Sequence, residues 1–208
     1  MPRQATFAAE ELAEAGCAVV AEEGWSGLTM RAAAARLGVS AMALYRVVPD
    51  SGALQRLVAE RVGLGLPVPD PPLLAALGSW ARAAHDRVRA LPGAAAYLLA
   101  NWTEVPSWLA IVERFLQIAE ADGLRDAEAV GTVNAVFAYT LARAQLRDEP
   151  STSRPRQLAP LAADPERFPL IGANIAEFAI AQREKAFAYG LEALLEGLDV
   201  RRLRTTLT

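Results

Sequence analysis

The residues from Thr29 to Leu54, TMRAAAARLGVSAMALYRVVPDSGAL, have types and spacing suited to gripping phosphates and reading base edges. Two short helices joined by Gly38-Val39-Ser40 have the layout of a helix-turn-helix. Thr29 is placed to cap the first by accepting a backbone N–H of its opening turn. Gly38 supplies the left-handed residue that turns the chain. Ser40 is placed to cap the second, which is expected to run to about Val47. Ala33 and Ala34 are small where the two helices must cross closely. Val39 and Leu44 plug the shared core. The outer face of the second helix is then Ser40, Ala41, Met42, Ala43, Tyr45 and Arg46. The N-terminal half of such a helix fits the major groove. Tyr45 and Arg46 can bond phosphates or base edges. Ala41, Met42 and Ala43 offer only apolar contact, for instance to a thymine methyl.

Charge sets how strongly this unit can hold a polyanion. The chain carries a formal charge of −3 and a pI near 5.3, so there is no global pull toward nucleic acid. Residues 1–61 hold six arginines against seven acids, a local charge of −1. The acids cluster in the first helix, and Arg31, Arg36 and Arg46 are left to supply positive surface. Modest phosphate neutralisation and weak non-specific binding are expected.

The elements that must position these residues are helical throughout. Alanine and leucine dominate and β-branched runs are scarce. Helices are expected over about 7–23, ending at Gly24, over 30–37, from Ser40 to Val47, and from Ala53 to Leu64. Ser51 stands as a cap ahead of the last. Pro67-Val68-Pro69-Asp70-Pro71-Pro72 is the clearest punctuation. Longer helices follow over about 72–91, 94–102, 106–121 and 125–147. Residues 148–169 are proline-rich and read as a loop, and a last helix spans about 170–198. The expected fold is all-α. An N-terminal three-helix DNA-binding domain, 1–52, is joined by a linking helix to a larger helical ligand-binding and dimerisation domain, 53–208.

The larger domain offers two further surfaces. The 125–147 helix has Val130, Val133, Phe137 and Leu141 on one stripe and Ala135, Tyr139, Ala142 and Leu146 opposite. The last helix sets Ile171, Ile175, Phe178 and Tyr189 against Ile180, Phe187, Leu191, Leu194 and Leu198. A second apolar stripe is covered either by another helix of the same chain or by a partner chain. Two such helices from each chain would make a four-helix dimer interface through Tyr139, Ala142, Leu146, Phe187, Leu191, Leu194 and Leu198. Aromatic and polar residues lie among the stripes. Trp80, His85, Trp102, Trp108, Phe115, Asn134, Phe137, Phe178 and Gln182 are candidates to line a pocket for a small molecule. Taken singly, a tryptophan at helical spacing is equally a core residue.

The run GVS...LYR..P...AL, preceded by AEEGW...T, resembles the DNA-binding domain of the tetracycline-repressor (TetR) family over about residues 7–61. Phe187 to Leu198, FAYGLEALLEGL, is similar to the final helix of that family's C-terminal domain. The resemblance implies a dimeric repressor that binds double-stranded operator DNA and releases it when a small-molecule effector enters the C-terminal domain. It implies DNA contacts from Thr29, Arg31, Ser40, Tyr45 and Arg46. The family's usual histidine is replaced by Val47, and its usual lysine at the start of the fourth helix by Ser51. An interaction protein with weak or lost DNA binding is the alternative these departures keep open.

Other classes find little support. One cysteine, Cys17, and one histidine, His85, supply neither a disulfide nor a metal set, and no Gly-rich phosphate loop is present. No enzyme activity, cofactor or metal is expected. The Met-Pro-Arg-Gln start has no apolar segment of a signal peptide, and no apolar stretch is long enough for a membrane, so a cytoplasmic location is expected.

Overall fold

The computed structural model describes residues 7–146, 160, 164, 166–174 and 184–206. The chain forms two compact units, residues 1–145 and 146–208. The expected domain boundary at 52/53 falls inside the first of them.

The first unit begins with α1, Ala9–Glu23. The Glu11 carboxylate accepts the Ala8 N–H at 2.9 Å, and Gly24, with φ of 77°, ends the helix. A single 3-10 turn, Trp25–Gly27, leads to α2, Met30–Leu37. Thr29 caps α2 as its position requires, its Oγ1 accepting the Ala32 N–H at 3.1 Å. Gly38 closes α2 in the left-handed conformation, φ 68°. Ala33 and Ala34 are buried where α1 and α3 pack against α2.

The next helix, α3, is shorter than expected. It covers only Ala41–Leu44, and Tyr45–Val47 form a turn. Pro49 disfavours helical backbone at the residue before it, Val48, which helps stop the helix early. Ser40 has extended cap geometry, yet its hydroxyl makes no capping bond. Leu44 is fully buried, while Val39 is only half-buried. The helix α4, Ser51–Leu64, starts two residues before the expected Ala53. Its cap is Asp50, whose Oδ1 accepts the Ala53 N–H at 2.7 Å, and not Ser51.

Beyond α4 come α5, Leu73–Arg89, α6, Ala94–Asn101, a 3-10 turn Trp102–Glu104, α7, Pro106–Ala121, and α8, Asp126–Gln145. The α5 stripe Leu73, Leu77, Trp80, Ala84 and Val88 is buried as its spacing dictates. It packs chiefly on α8, with α6 and α7 closing the bundle.

α4 is fixed to this bundle from two sides. Arg87 of α5 donates from Nε to the Val62 carbonyl at 2.8 Å and from Nη2 to the Arg61 carbonyl at 3.1 Å. That places a cation on the last carbonyls of α4, where the helix dipole favours it. At the start of α7, the Ser107 N–H donates to Glu60 Oε2 at 2.9 Å and its hydroxyl to the Glu60 carbonyl at 3.2 Å. The Trp108 indole donates to the Ala59 carbonyl at 3.3 Å. Gly63 permits this approach, because a Cβ there would lie 2.1 Å from Ser107 Oγ.

In the second unit, α9 covers Pro169–Ala173 and α10 covers Glu184–Thr206. The expected continuous helix over 170–198 is therefore interrupted. α9 stops at Asn174, whose side-chain amide donates back to the Leu170 carbonyl at 2.8 Å. The proline-rich segment 148–169 lies mostly outside the described residues.

Candidate nucleic-acid interface and ligand cavity

The helix-turn-helix presents a compact, accessible face. Thr29, Arg31, Ser40, Met42, Tyr45, Arg46 and Ser51 are exposed, and Ala41 is half-buried. Met42 is 76% exposed and Tyr45 50% exposed, high values for apolar and aromatic side chains in a monomeric helix. Arg31 and Arg46 form no ion pair among the described residues, so their guanidinium groups are available to phosphate. Arg36 is different. Its Nη1 bonds both oxygens of Glu22 at 2.7 and 2.8 Å, so part of its charge is neutralised inside the protein. This corrects the expectation that Arg36 contributes freely to the positive surface. Arg61 is likewise paired with Glu14 at 3.2 Å, and Arg56 with Glu104 at 3.6 Å.

The start of α4 is less welcoming to phosphate than the bare sequence implied. The Asp50 carboxylate already occupies the Ala53 amide and brings negative charge to the helix N-terminus. Asp50→Asn keeps a good cap while removing that charge. It is expected to tighten DNA binding and to steepen the slope of log affinity against log salt by up to about one unit. A salt titration of binding to random-sequence duplex measures this. An unchanged slope would place Asp50 away from the phosphates.

The first unit also holds a cavity of about 200 Å³, bounded by α6, α7, α8 and the 3-10 turn between α6 and α7. Trp102, Asn134 and Phe137, three of the expected pocket residues, line it. The rest of the lining is aliphatic: Leu99, Val112, Leu116, Val130, Val133, Ala138 and Leu141. No charged side chain lines the wall among the described residues. Among the described residues its side-chain hydrogen-bonding groups are the Asn134 amide and the Trp102 indole N–H.

Trp80, Trp108 and Phe115 do not line this cavity. They are fully buried and form an aromatic cluster around Phe137. Trp80 stacks on Phe137 with centroids 4.2 Å apart and planes 14° apart. Phe137 is thus held from behind by packed rings while it faces the cavity. His85 is buried away from the lining, with Nδ1 3.2 Å from Asp86 Oδ1. Burial lowers its pKa, outweighing the opposing pull of Asp86. Phe178 and Gln182 lie outside the described residues. Leu99, Val112 and Leu116 went unnamed at the sequence level, because nothing separates an aliphatic wall residue from an aliphatic core residue in periodicity alone.

The candidate interface residues divide by burial. Ala142 and Leu146 are exposed, and Tyr139, Leu194 and Leu198 are half-buried. Phe187 and Leu191 are buried already in the single chain, whereas Tyr189, on the opposite stripe, is 77% exposed. Of the expected dimer residues, Phe187 and Leu191 are thus not open to a partner in the single chain. Cys17 is partly buried, and burial pushes its thiol pKa up. No group of residues that could hold a metal occurs among the described residues, and no described helix is long and apolar enough to cross a membrane.

Comparison with known proteins bears directly on this arrangement. Residues 69–202 match the model of the tetracyclin repressor-like C-terminal domain. The chain is 29% identical to the HTH-type transcriptional repressor DrrR1 of Streptomyces coeruleorubidus, over 94% of this chain and 78% of that protein. Its fold is similar to that of ActR, a TetR family protein of Streptomyces coelicolor solved with (S)-DNPA. The TM-score is 0.79 at 20% identity, covering 94% of this chain and 98% of that one. It is also similar to BioQ, solved with its double-stranded DNA operator, with a TM-score of 0.65 at 20% identity over 93% of this chain and 98% of that one. The family match spans most of the helical region beyond the helix-turn-helix, and the chain belongs to the tetracycline-repressor family of transcriptional regulators.

Proposed function

We propose that the protein is a homodimeric repressor released from its operator by a small, uncharged, largely apolar effector bound between α6, α7 and α8. The observation that carries this reading is the double role of α7. Val112 and Leu116 face the cavity, while Ser107 and Trp108 of the same helix hold Glu60 and Ala59 of α4. An occupant that displaces α7 therefore moves α4, and α4 carries the helix-turn-helix. The effector must bind the released state better than the DNA-bound state for this to work. The ligand in the ActR complex and the operator in the BioQ complex support a chain of this fold serving both partners.

Residues 1–52 act as the DNA-binding domain and 53–208 as the ligand-binding and dimerisation domain. Thr29, Ser40 and Ser51 are assigned to phosphate contacts. Ala41 and Met42 meet base edges. Tyr45 and Arg46 fix the register. Dimer contacts come from Tyr139, Ala142, Leu146, Leu194 and Leu198, which are exposed or half-buried in the single chain. Two heads related by a two-fold axis read a palindromic site.

The test is selection of genomic DNA fragments by the purified protein at low and moderate salt, beside Tyr45→Ala and Arg46→Ala. One palindromic site, lost in both variants and weakened by salt, is the expected result. Recovery of nothing above background would favour an interaction protein, a reading to which the Asp50 carboxylate and the paired Arg36 lend support.

A further inference from the structure

A groove of about 190 Å³ lies on the opposite side of α7 from the α6–α8 cavity, bounded by the end of α4, the segment from Leu66 to Pro69 and one face of α7. The two spaces share no lining residue. Val112 and Leu116 of α7 face the cavity, while Ser107, Ala110, Ile111 and Arg114 face the groove. Its walls are largely apolar. Leu64 is 66% exposed and Val68 80% exposed, and Leu66 and Ile111 add buried aliphatic surface. Arg114, half-buried, is the one charged side chain among the described lining residues. Its Nε donates to the Pro69 carbonyl at 3.2 Å, which holds the guanidinium against the linker. It forms no ion pair among the described residues, and its Nη groups make no hydrogen bond there. Most other donors of the wall are absent or engaged. Pro67 and Pro69 have no N–H, the Leu66 N–H is bonded to the Gly63 carbonyl at 2.9 Å, and the Ser107 N–H and hydroxyl are bonded to Glu60.

We propose that this groove is a second ligand site, taking a small amphipathic monoanion: an aromatic or short-chain carboxylate. The carboxylate pairs with the Nη groups of Arg114, and the apolar part lies on Leu64, Leu66, Val68 and Ile111. A guanidinium with open donors beside apolar walls selects a planar anion, because a carboxylate presents two acceptors to its fork. A neutral molecule of the same shape covers the aliphatic surface but leaves the charge unpaired. A bare inorganic anion pairs the charge but leaves Leu64 and Val68 in water. The two sites therefore differ in the charge they accept, since no charged side chain among the described residues lines the α6–α8 cavity. The groove site stands whether or not that cavity holds an effector.

Equilibrium dialysis of the full chain against 2-naphthoate, beside the neutral 2-naphthamide, tests this. Naphthoate is expected to bind the parent about tenfold more tightly than naphthamide at low salt, and Arg114→Gln to remove that preference, as for loss of a charge-assisted pair. Arg114→Lys, which keeps the charge, should retain most of it. Ala110→Trp, at an exposed position of α7, puts a ring into the groove and should abolish naphthoate binding. Val68→Asp, at an exposed linker position, should weaken it about tenfold by like charge. Ala138→Trp, which fills the other cavity from α8, should leave it unchanged. Thermal unfolding identifies any variant that fails to fold, and the Arg114 and Val68 variants carry the test if Ala110→Trp does. Naphthoate binding that survives Arg114→Gln and Val68→Asp but falls with Ala138→Trp would move the anion to the cavity and overturn the groove site. Equal affinities for naphthoate and naphthamide in the parent, or no naphthoate bound at millimolar concentration, would overturn it as well.

Discussion

Trp80→Ala is expected to lower the unfolding free energy by about 3–5 kcal/mol, the range for removing a large buried aromatic side chain. Trp80 is 1% exposed and meets Trp108, Phe115 and Phe137 in one cluster. Its removal leaves a void behind Phe137 that rigid α5 and α8 cannot fully close. The stacked contact with Phe137 is lost as well, so the cavity wall loses its backing. Urea denaturation measures the loss as a shift in midpoint. A change below about 1 kcal/mol would mean that the surrounding rings collapse into the space. The same variant should bind bulkier apolar molecules, because the void adjoins the cavity floor.

The second large effect concerns Gly63, and its sign is diagnostic. Glycine to alanine in an open helix position stabilises by about 1 kcal/mol. Here a Cβ would stand 2.1 Å from Ser107 Oγ, 2.8 Å from Ser107 Cβ and 2.9 Å from Trp108 Cδ1. Gly63→Ala must therefore push α4 away from α7 or break the bonds at Glu60. A net loss of about 1–3 kcal/mol is expected, as for other overpacked contacts. Ser107→Gly made alongside should recover part of it, and a double-mutant cycle isolates the coupling. Operator affinity should fall with stability, since α4 also places the head. Stabilisation by Gly63→Ala would show that the α4–α7 contact is loose, and would remove the main support for α7 as transmitter.

Much of the fold was legible because short-range signals agreed with one another. Thr29, Gly38 and Gly24 each marked a helix end by a local bond or a positive φ. The α5 stripe marked its buried face. Two ends were misplaced for equally local reasons. α3 stops at Leu44 ahead of Val47, Val48 and Pro49, and Asp50 outcompetes Ser51 for the cap of α4. The break at Asn174 carried a signal in the Gly172-Ala173-Asn174 run, but the apolar spacing on either side masked it.

The site was legible in part. The exposed face of the helix-turn-helix followed from the motif. Pairing of Arg36 with Glu22 did not, because the two residues lie on different helices. In the cavity, aromatic character was a poor guide. Trp80, Trp108 and Phe115 serve as packing, and the walls are mostly aliphatic residues brought together from three helices. Only tertiary placement separates a residue facing a void from one filling it.

The tryptophans differ in surroundings, and this gives the protein a built-in optical signal. Trp80 and Trp108 are sealed from water, whereas Trp102 is half-exposed at the cavity wall. Indole emission shifts to the red with solvent contact and is quenched by an adjacent conjugated molecule. Selective excitation near the red edge of absorption favours the partly solvated rings, Trp102 and Trp25. An unlabelled preparation can therefore be screened against compound libraries by its own fluorescence, with Trp102→Phe as the control that removes the cavity ring's share of the response.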